Sequence, residues 1–187
     1  ALEMLTRESR EGTRQALTSL PFGTPGRGPK AYLQGGLHAD EVPGLLVAHH
    51  LREALTRLDA RGAVRGEVIL VPMANPIGLS QWALRSHQGR FESHTGENFN
   101  RHFADLVPAL QERLAGRLGA DAAANVAAVR AEMRALCAGL TATSALEDQR
   151  RLLLGLAIDA DLVLDLHCDG DGLLHLYTTP GTWDRGE

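Results

Sequence analysis

Leu33-Gln34-Gly35-Gly36-Leu37-His38-Ala39-Asp40-Glu41 is the stretch on which the reading of this chain turns. A short strand entering at Lys30 runs into two glycines, which let the backbone bend and approach a neighbour closely. His38 and Glu41 follow the bend three residues apart, so an imidazole and a carboxylate can converge on one ion from a single turn of loop. A catalytic zinc site needs three protein ligands and an open position, and two histidines with a glutamate is a known set. The third ligand is then expected far along the chain, at another strand end. His167 in Leu162-Val163-Leu164-Asp165-Leu166-His167 fits that description. H-x-x-E alone is a weak motif, equally at home as two solvated loop residues. The glycine bend, the second strand ending in histidine, and Glu97-Asn98-Phe99-Asn100-Arg101 between them weigh against that plain reading.

Working outward, residues Leu2 to Leu20 show helical periodicity and end at Pro21, and Phe22 to Pro29 reads as a glycine- and proline-rich loop. Apolar residues recur at helical spacing from Val42 to Leu58, with Pro43 suited to a first turn. His49 and His50 fall inside that helix as surface or packing residues. Glu67 to Met73 is a valine-rich run typical of a strand buried on both faces, and Asn75-Pro76-Ile77-Gly78 is turn chemistry. From Leu84 to Thr95 the pattern dissolves into a long polar loop holding Arg85, His87, Arg90 and His94, and loops of that length are usually functional or mobile. Helices are expected over Phe103 to Leu118, Ala120 to Gly139 and Ser144 to Ile158, a helical segment of about 103–158 within one domain. Leu162 to His167 reads as a buried strand and Leu173 to Thr178 as a further one. His175 would be a wall residue. Strands alternating with helices predict an α/β fold with a mixed, largely parallel sheet flanked by helices.

The ordered pieces Gly36-Leu37-His38-Ala39-Asp40-Glu41, Asn75-Pro76, Asn98-Phe99-Asn100-Arg101 and Asp165-Leu166-His167 resemble the zinc carboxypeptidase superfamily, in its succinylglutamate desuccinylase/aspartoacylase branch. The resemblance implies one zinc ion held by His38, Glu41 and His167. It implies that Asn100 and Arg101 hold a substrate carboxylate and that Arg90 polarises the scissile carbonyl. Two departures stand out. Asn98 occupies a position where the branch commonly has an aspartate supporting a zinc-bound histidine; its amide oxygen still accepts a hydrogen bond but raises ligand basicity less. The family's general-base glutamate falls well after the third ligand, so the chain is expected to be the N-terminal portion of a longer catalytic domain. Glu92 and Glu97 are the only acids of the loop that could approach in its place.

Strand ends are where open α/β sheets bind ligands. Asp165 shares a strand face with His167 and reads either as an orienting group or as a buried structural carboxylate. The expected chemistry is hydrolysis of an amide next to a free carboxylate, on an N-acyl amino acid or a peptide C-terminus. Arg101 would supply a bidentate fork. The alternatives are a metallocarboxypeptidase acting on peptides and a non-catalytic zinc-binding module.

Composition narrows the class. The 187 residues are 44% hydrophobic with only two Trp, two Tyr and four Phe, which suits one aliphatic-cored domain. A net charge of −4 leaves no electrostatic footprint for nucleic acid. Two unpaired cysteines, Cys137 and Cys168, suit a reducing compartment, and Cys168 is expected as a buried thiol. No apolar run suggests a signal segment or a membrane span, so a cytoplasmic setting without nucleic-acid or membrane partners is expected. Self-association through an exposed sheet edge is a further expectation.

Overall fold

A computed structural model describes residues 2–5, 15–170 and 172–185. Its elements run β1 (Leu2–Leu5), β2 (Ala16–Gly23), β3 (Lys30–Gly35), α1 (Val42–Asp59), β4 (Glu67–Val71), α2 (Pro76–Leu79), β5 (Trp82–Ala83), β6 (Ser86–His87), α3 (Val107–Leu114), α4 (Ala122–Gly139), α5 (Ala145–Ala157) and β7 (Leu162–Leu166), then a 3₁₀ turn over Pro180–Arg185. The main sheet has the order β1-β2-β4-β3-β7. β4, β3 and β7 are parallel, and β1 and β2 add antiparallel strands at one side.

Alternation along the strands sorts the core into two layers. Tyr32, Ile69 and Val71 face one side with Leu17, Leu146, Leu153 and Phe99. Leu70 faces the other with Phe22, Ala48, Leu33 and Leu55. The first layer is covered by α5 and the second by α1, which gives helix–sheet–helix packing. α1 lies close because small residues meet: a Cβ on Gly44 would stand 2.8 Å from the Leu166 carbonyl oxygen.

Four expectations fail. In the expected helix Leu2 to Leu20, Leu2–Leu5 and the stretch from Ala16 are strand, β1 and the start of β2, while residues 6–14 lie outside the described residues. Leu17 and Ser19 are buried while Thr18 and Leu20 are half-buried, a period of two that pairing with β4 rewards over local helix preference. Pro21 is tolerated within β2 because the β1 pairing ends at Ser19, leaving that side of the strand without a ladder partner among the described residues. β7 is not a buried strand: it is the outer strand among the described residues, with Leu162 and Val163 half exposed. No strand forms over Leu173 to Thr178, where Leu173, Leu174 and Tyr177 are exposed. A strand needs a ladder partner, and among the described residues this segment has none. Cys168 is only half-buried, because β7 ends at Leu166 before alternation can turn its thiol into the core.

Two finer differences concern the middle of the chain. Asn75-Pro76-Ile77-Gly78 starts the short helix α2, capped by the Asn75 side chain accepting from the Gly78 N–H at 2.7 Å. The polar loop is more ordered than its composition suggests. β5 and β6 form a two-residue ladder around Leu84 and Arg85, both at positive φ, and Phe91 bridges to Asn98.

Candidate metal centre

The strand β3 delivers the loop and the loop's geometry follows from local constraints. Gly36 takes φ +70°, a left-handed conformation that suits glycine, and a Cβ there would meet Leu45 Cδ2 at 2.5 Å. Leu37 and Ala39 on either side of His38 are buried. The fully buried Asn75 donates from Nδ2 to the Leu37 carbonyl at 2.8 Å, so the α2 cap also clamps the ligand loop. On the opposite flank the Ala39 N–H donates to the Gly89 carbonyl at 2.9 Å. A Cβ on Gly89 would lie 2.2 Å from the Asp40 nitrogen, so only glycine allows this approach.

Glu41 is the hub. It occupies the N-cap position of α1 but makes no capping hydrogen bond with its side chain. The carboxylate instead meets four groups. Oε1 lies 2.9 Å from His38 Nδ1 and accepts from Arg90 Nη2 at 2.9 Å. Oε2 lies 2.8 Å from His167 Nδ1 and accepts from the Cys168 N–H at 2.9 Å. Burial alone would raise the Glu41 pKa. The Cys168 N–H, the two imidazoles and the His167 charge override it and hold the carboxyl below its ordinary value.

The outer nitrogens of both imidazoles are also engaged. His38 Nε2 lies 2.9 Å from Asn98 Oδ1, as the sequence led us to expect of an amide in that position. His167 Nε2 lies 2.8 Å from Asp165 Oδ2, so Asp165 orients the ring; it is partly exposed rather than a buried structural acid. The Asp165 bond is the main reason the His167 pKa is raised, against burial, with Glu41 adding to it. Asn98 is held by α5, where the buried Arg150 donates to the Asn98 carbonyl at 3.0 Å and to Glu97 at 2.8 Å. Arg150 escaped the sequence reading, although an arginine on the buried stripe of Leu146 and Leu153 was a signal.

The other candidate residues lie around this hub. Asn100 Nδ2 is 3.3 Å from His167 Nε2, and the exposed Arg101 donates from Nη1 to the Asn100 carbonyl at 2.7 Å. Glu92 is tied to His94 and Thr95 within its own loop, which brings its pKa down to about 2 despite burial. Glu97 pairs with Arg150. His49, His50 and Glu53 form a second group on α1, all three exposed, and His175 is exposed beside Asp169. Among the described residues, no helix is long and apolar enough to cross a membrane.

Residues 27–187 match the family model of the succinylglutamate desuccinylase/aspartoacylase catalytic domain. The chain belongs to the succinylglutamate desuccinylase/aspartoacylase family. Among solved structures it is similar to a member of that family from Shewanella amazonensis SB2B, with 29% identity and a TM-score of 0.75. The similarity covers 90% of this chain and 46% of that one. A second family member, from Shewanella frigidimarina NCIMB 400, is 26% identical with a TM-score of 0.71, covering 90% of this chain and 45% of that one. An aspartoacylase family protein from Mesorhizobium loti MAFF303099 shares the fold, with 19% identity, a TM-score of 0.51, and coverage of 88% and 38%. This chain thus spans just under half the length of the two Shewanella proteins. No curated protein is significantly similar to it.

The family is hydrolytic and typically zinc-dependent. One donor atom each from His38, Glu41 and His167 lies within 4.8 Å of the other two. Ligands of a tetrahedral zinc at 2.0–2.1 Å stand roughly 3.3 Å apart, so small side-chain shifts suffice. Two imidazole nitrogens with one carboxylate oxygen, and an outer hydrogen bond on each imidazole, suit that ion.

Proposed function

We propose that this chain carries the metal centre of a zinc-dependent hydrolase that cleaves an amide next to a free carboxylate, deacylating an N-acyl amino acid. The observation that carries the reading is the convergence of His38, His167 and Arg90 on the Glu41 carboxylate. His38 and His167 would hold zinc through Nδ1, since their Nε2 atoms face Asn98 and Asp165. A zinc ion so held supplies Lewis-acid polarisation and lowers the pKa of a coordinated water.

The chain's own groups then divide the remaining work. Arg90, with its guanidinium about half exposed beside Glu41, stands ready to steady negative charge developing on the carbonyl oxygen. Arg101 and Asn100 hold the substrate carboxylate from the His167 side, and the exposed guanidinium suits a ligand arriving from solvent. Neither Glu92 nor Glu97 serves as general base in this reading, because both carboxylates are bonded elsewhere. General acid–base assistance typically contributes ~10²–10⁴-fold, so the 187-residue chain alone is expected to bind zinc and turn over weakly.

The test begins with zinc titration of the chain, read as proton release and by competition with a chromophoric chelator. His38→Ala should lose most of the affinity. The zinc-loaded protein is then offered N-succinyl and N-acetyl amino acids beside their methyl esters, in which the carboxylate is masked. Preference for the free acids, with a raised KM in Arg101→Lys, is the expected result. Equal cleavage of acids and esters would remove the carboxylate from the reading, and full turnover lost in Glu92→Gln would return that acid to the role of base.

A further inference from the structure

Behind His167 a chain of side-chain hydrogen bonds runs back into the core. Tyr32 is buried, with 1% of its surface exposed, and its hydroxyl donates to Gln34 Oε1 at 2.6 Å. Gln34, also buried, donates from Nε2 to Asp165 Oδ1 at 2.9 Å. Asp165 Oδ2 meets His167 Nε2 at 2.8 Å, and His167 Nδ1 meets Glu41 at 2.8 Å. The backbone sets up each link. Tyr32 and Gln34 are two residues apart on β3 and share a face, and Gln34 and Asp165 are register partners across the parallel β3–β7 ladder.

An amide has one accepting end and one donating end. In Gln34 both ends are committed: the oxygen to the Tyr32 hydroxyl, the NH₂ to a carboxylate. Reversal would set the amide oxygen against Asp165 and leave the phenol without its acceptor. Burial, reinforced by the Asp165 charge, raises the Tyr32 pKa far above its ordinary value, so the phenol is a permanent donor. With Oδ1 held by Gln34, Asp165 offers Oδ2 to His167.

We propose that Tyr32 and Gln34 are positioning residues for the candidate third metal ligand: through Asp165 they fix the ring angle of His167, so that Nδ1 faces Glu41. The inference rests on the metal-centre reading only for its consequence in zinc affinity, because the orientation itself belongs to the metal-free chain. Gln34, directly ahead of the Gly35-Gly36 bend, thereby couples the two strand ends that carry the candidate ligands.

The test uses Tyr32→Phe, which keeps the ring and removes the hydroxyl, and Gln34→Leu, which removes both amide ends. Crystal structures of the metal-free wild type and variants report the His167 ring angle, and chelator competition reports zinc affinity. The expected result is a single ring orientation in the wild type, with Nδ1 on Glu41 and Nε2 on Asp165. That orientation should be lost or split in both variants, with zinc affinity reduced about 10–100-fold in Gln34→Leu, the scale of outer-shell losses, and less in Tyr32→Phe. An unchanged ring orientation in both variants would overturn the proposal, whatever happens to affinity. If Gln34→Leu does not fold, Tyr32→Phe decides alone. A wild type that binds no zinc but shows the ring reorienting in the variants would refute the metal reading and leave the positioning role standing.

Discussion

Asn98→Asp is expected to tighten zinc binding, and the structure sets the size of the gain. The two candidate histidine ligands are held unequally: His167 leans on a carboxylate, Asp165, whereas His38 leans on the neutral amide oxygen of Asn98 at 2.9 Å. A neutral hydrogen bond contributes about 0.5–1.5 kcal/mol net and one to a charged group about 1.5–3 kcal/mol. The substitution therefore adds roughly 1–1.5 kcal/mol to the form in which His38 Nε2 donates and Nδ1 is free to bind metal. That corresponds to about a five- to tenfold lower Kd. The new carboxylate keeps its other partner, since Oδ1 of residue 98 also accepts from the Asn100 N–H at 2.8 Å. It also gains the field of Arg150, whose guanidinium already binds the residue 98 carbonyl. Asn98→Ala, which removes the acceptor, should weaken binding by about 10–100-fold. The assay is competition against a chromophoric chelator at fixed pH, with circular dichroism to establish that each variant is folded. A folded Asn98→Asp protein with unchanged or weaker zinc affinity would refute the argument, because the residue 98 acceptor would then not govern His38.

Gly89→Ala should disturb the centre without touching a candidate ligand. The added Cβ would lie 2.2 Å from the Asp40 nitrogen and 2.8 Å from the Ala39 carbonyl carbon, so the loop between His38 and Glu41 has to shift. Zinc affinity should fall about tenfold or more while thermal unfolding moves little; wild-type affinity would show that the loop adapts. The metal-free protein should be most stable in mildly acidic solution. His167 has a raised pKa, chiefly through Asp165, so its contribution is complete below its unfolded value of about 6.5 and is lost as pH rises through the folded value. Glu92 is lowered to about 2, so its contribution is present above the unfolded carboxyl value and is lost as pH falls through the acid range toward about 2. Urea unfolding with a chelator present, at pH values across that span, checks both limbs. Glu92→Gln should make the acid limb shallower and leave the alkaline one unchanged, since Glu41 and Asp159 are held low as well, and equal stability on both sides of the His167 titration would contradict its alkaline counterpart.

Much of the fold was legible where sequence period and chemistry agreed. The strand at Lys30–Gly35 has the bounds the sequence reading gave it, and α1 starts at Val42 beside its proline, because local preference and tertiary packing point the same way there. The N-terminal segment misled because its leucines satisfy helical spacing. Its true pattern appears only at Leu17 and Ser19, and a buried serine carries no hydrophobic signal. β7 and the stretch after it misled for another reason: an apolar run says that a segment is to be covered, not by what. The site was legible as a set of donors. His38, Glu41 and His167 meet, and Arg90, Asn98 and Asp165 contact them. Its supports were not, since Asn75, Arg150, Tyr32 and Gln34 act by hydrogen bonds between residues distant in sequence or on one strand face, and no motif encodes such partners.

The candidate ligands straddle a firm part of the fold and a weak one. His38 and Glu41 follow β3, which has a strand on each side and is clamped at its end by Asn75 and Gly89. His167 follows β7, paired on one side only among the described residues, with half-exposed apolar side chains. Four side-chain links hold the end of β7 inward: Gln34 to Asp165, Glu41 to His167, Asn100 to His167, and Glu41 to the Cys168 N–H. Two of them end on the carboxylate that would bind zinc. A ligand that binds only the native state stabilises it by about 2.7 kcal/mol at a hundred times its Kd. Here that gain should be felt most where local opening costs least. Zinc is therefore expected to slow amide exchange from Leu162 to Cys168 more than in β4, whose ladders on both sides already limit opening. Hydrogen exchange followed by mass spectrometry, with and without the metal, measures the two segments together. Equal slowing in both would mean that β7 opens only when the whole sheet does, and that His167 is held by the sheet rather than by the centre.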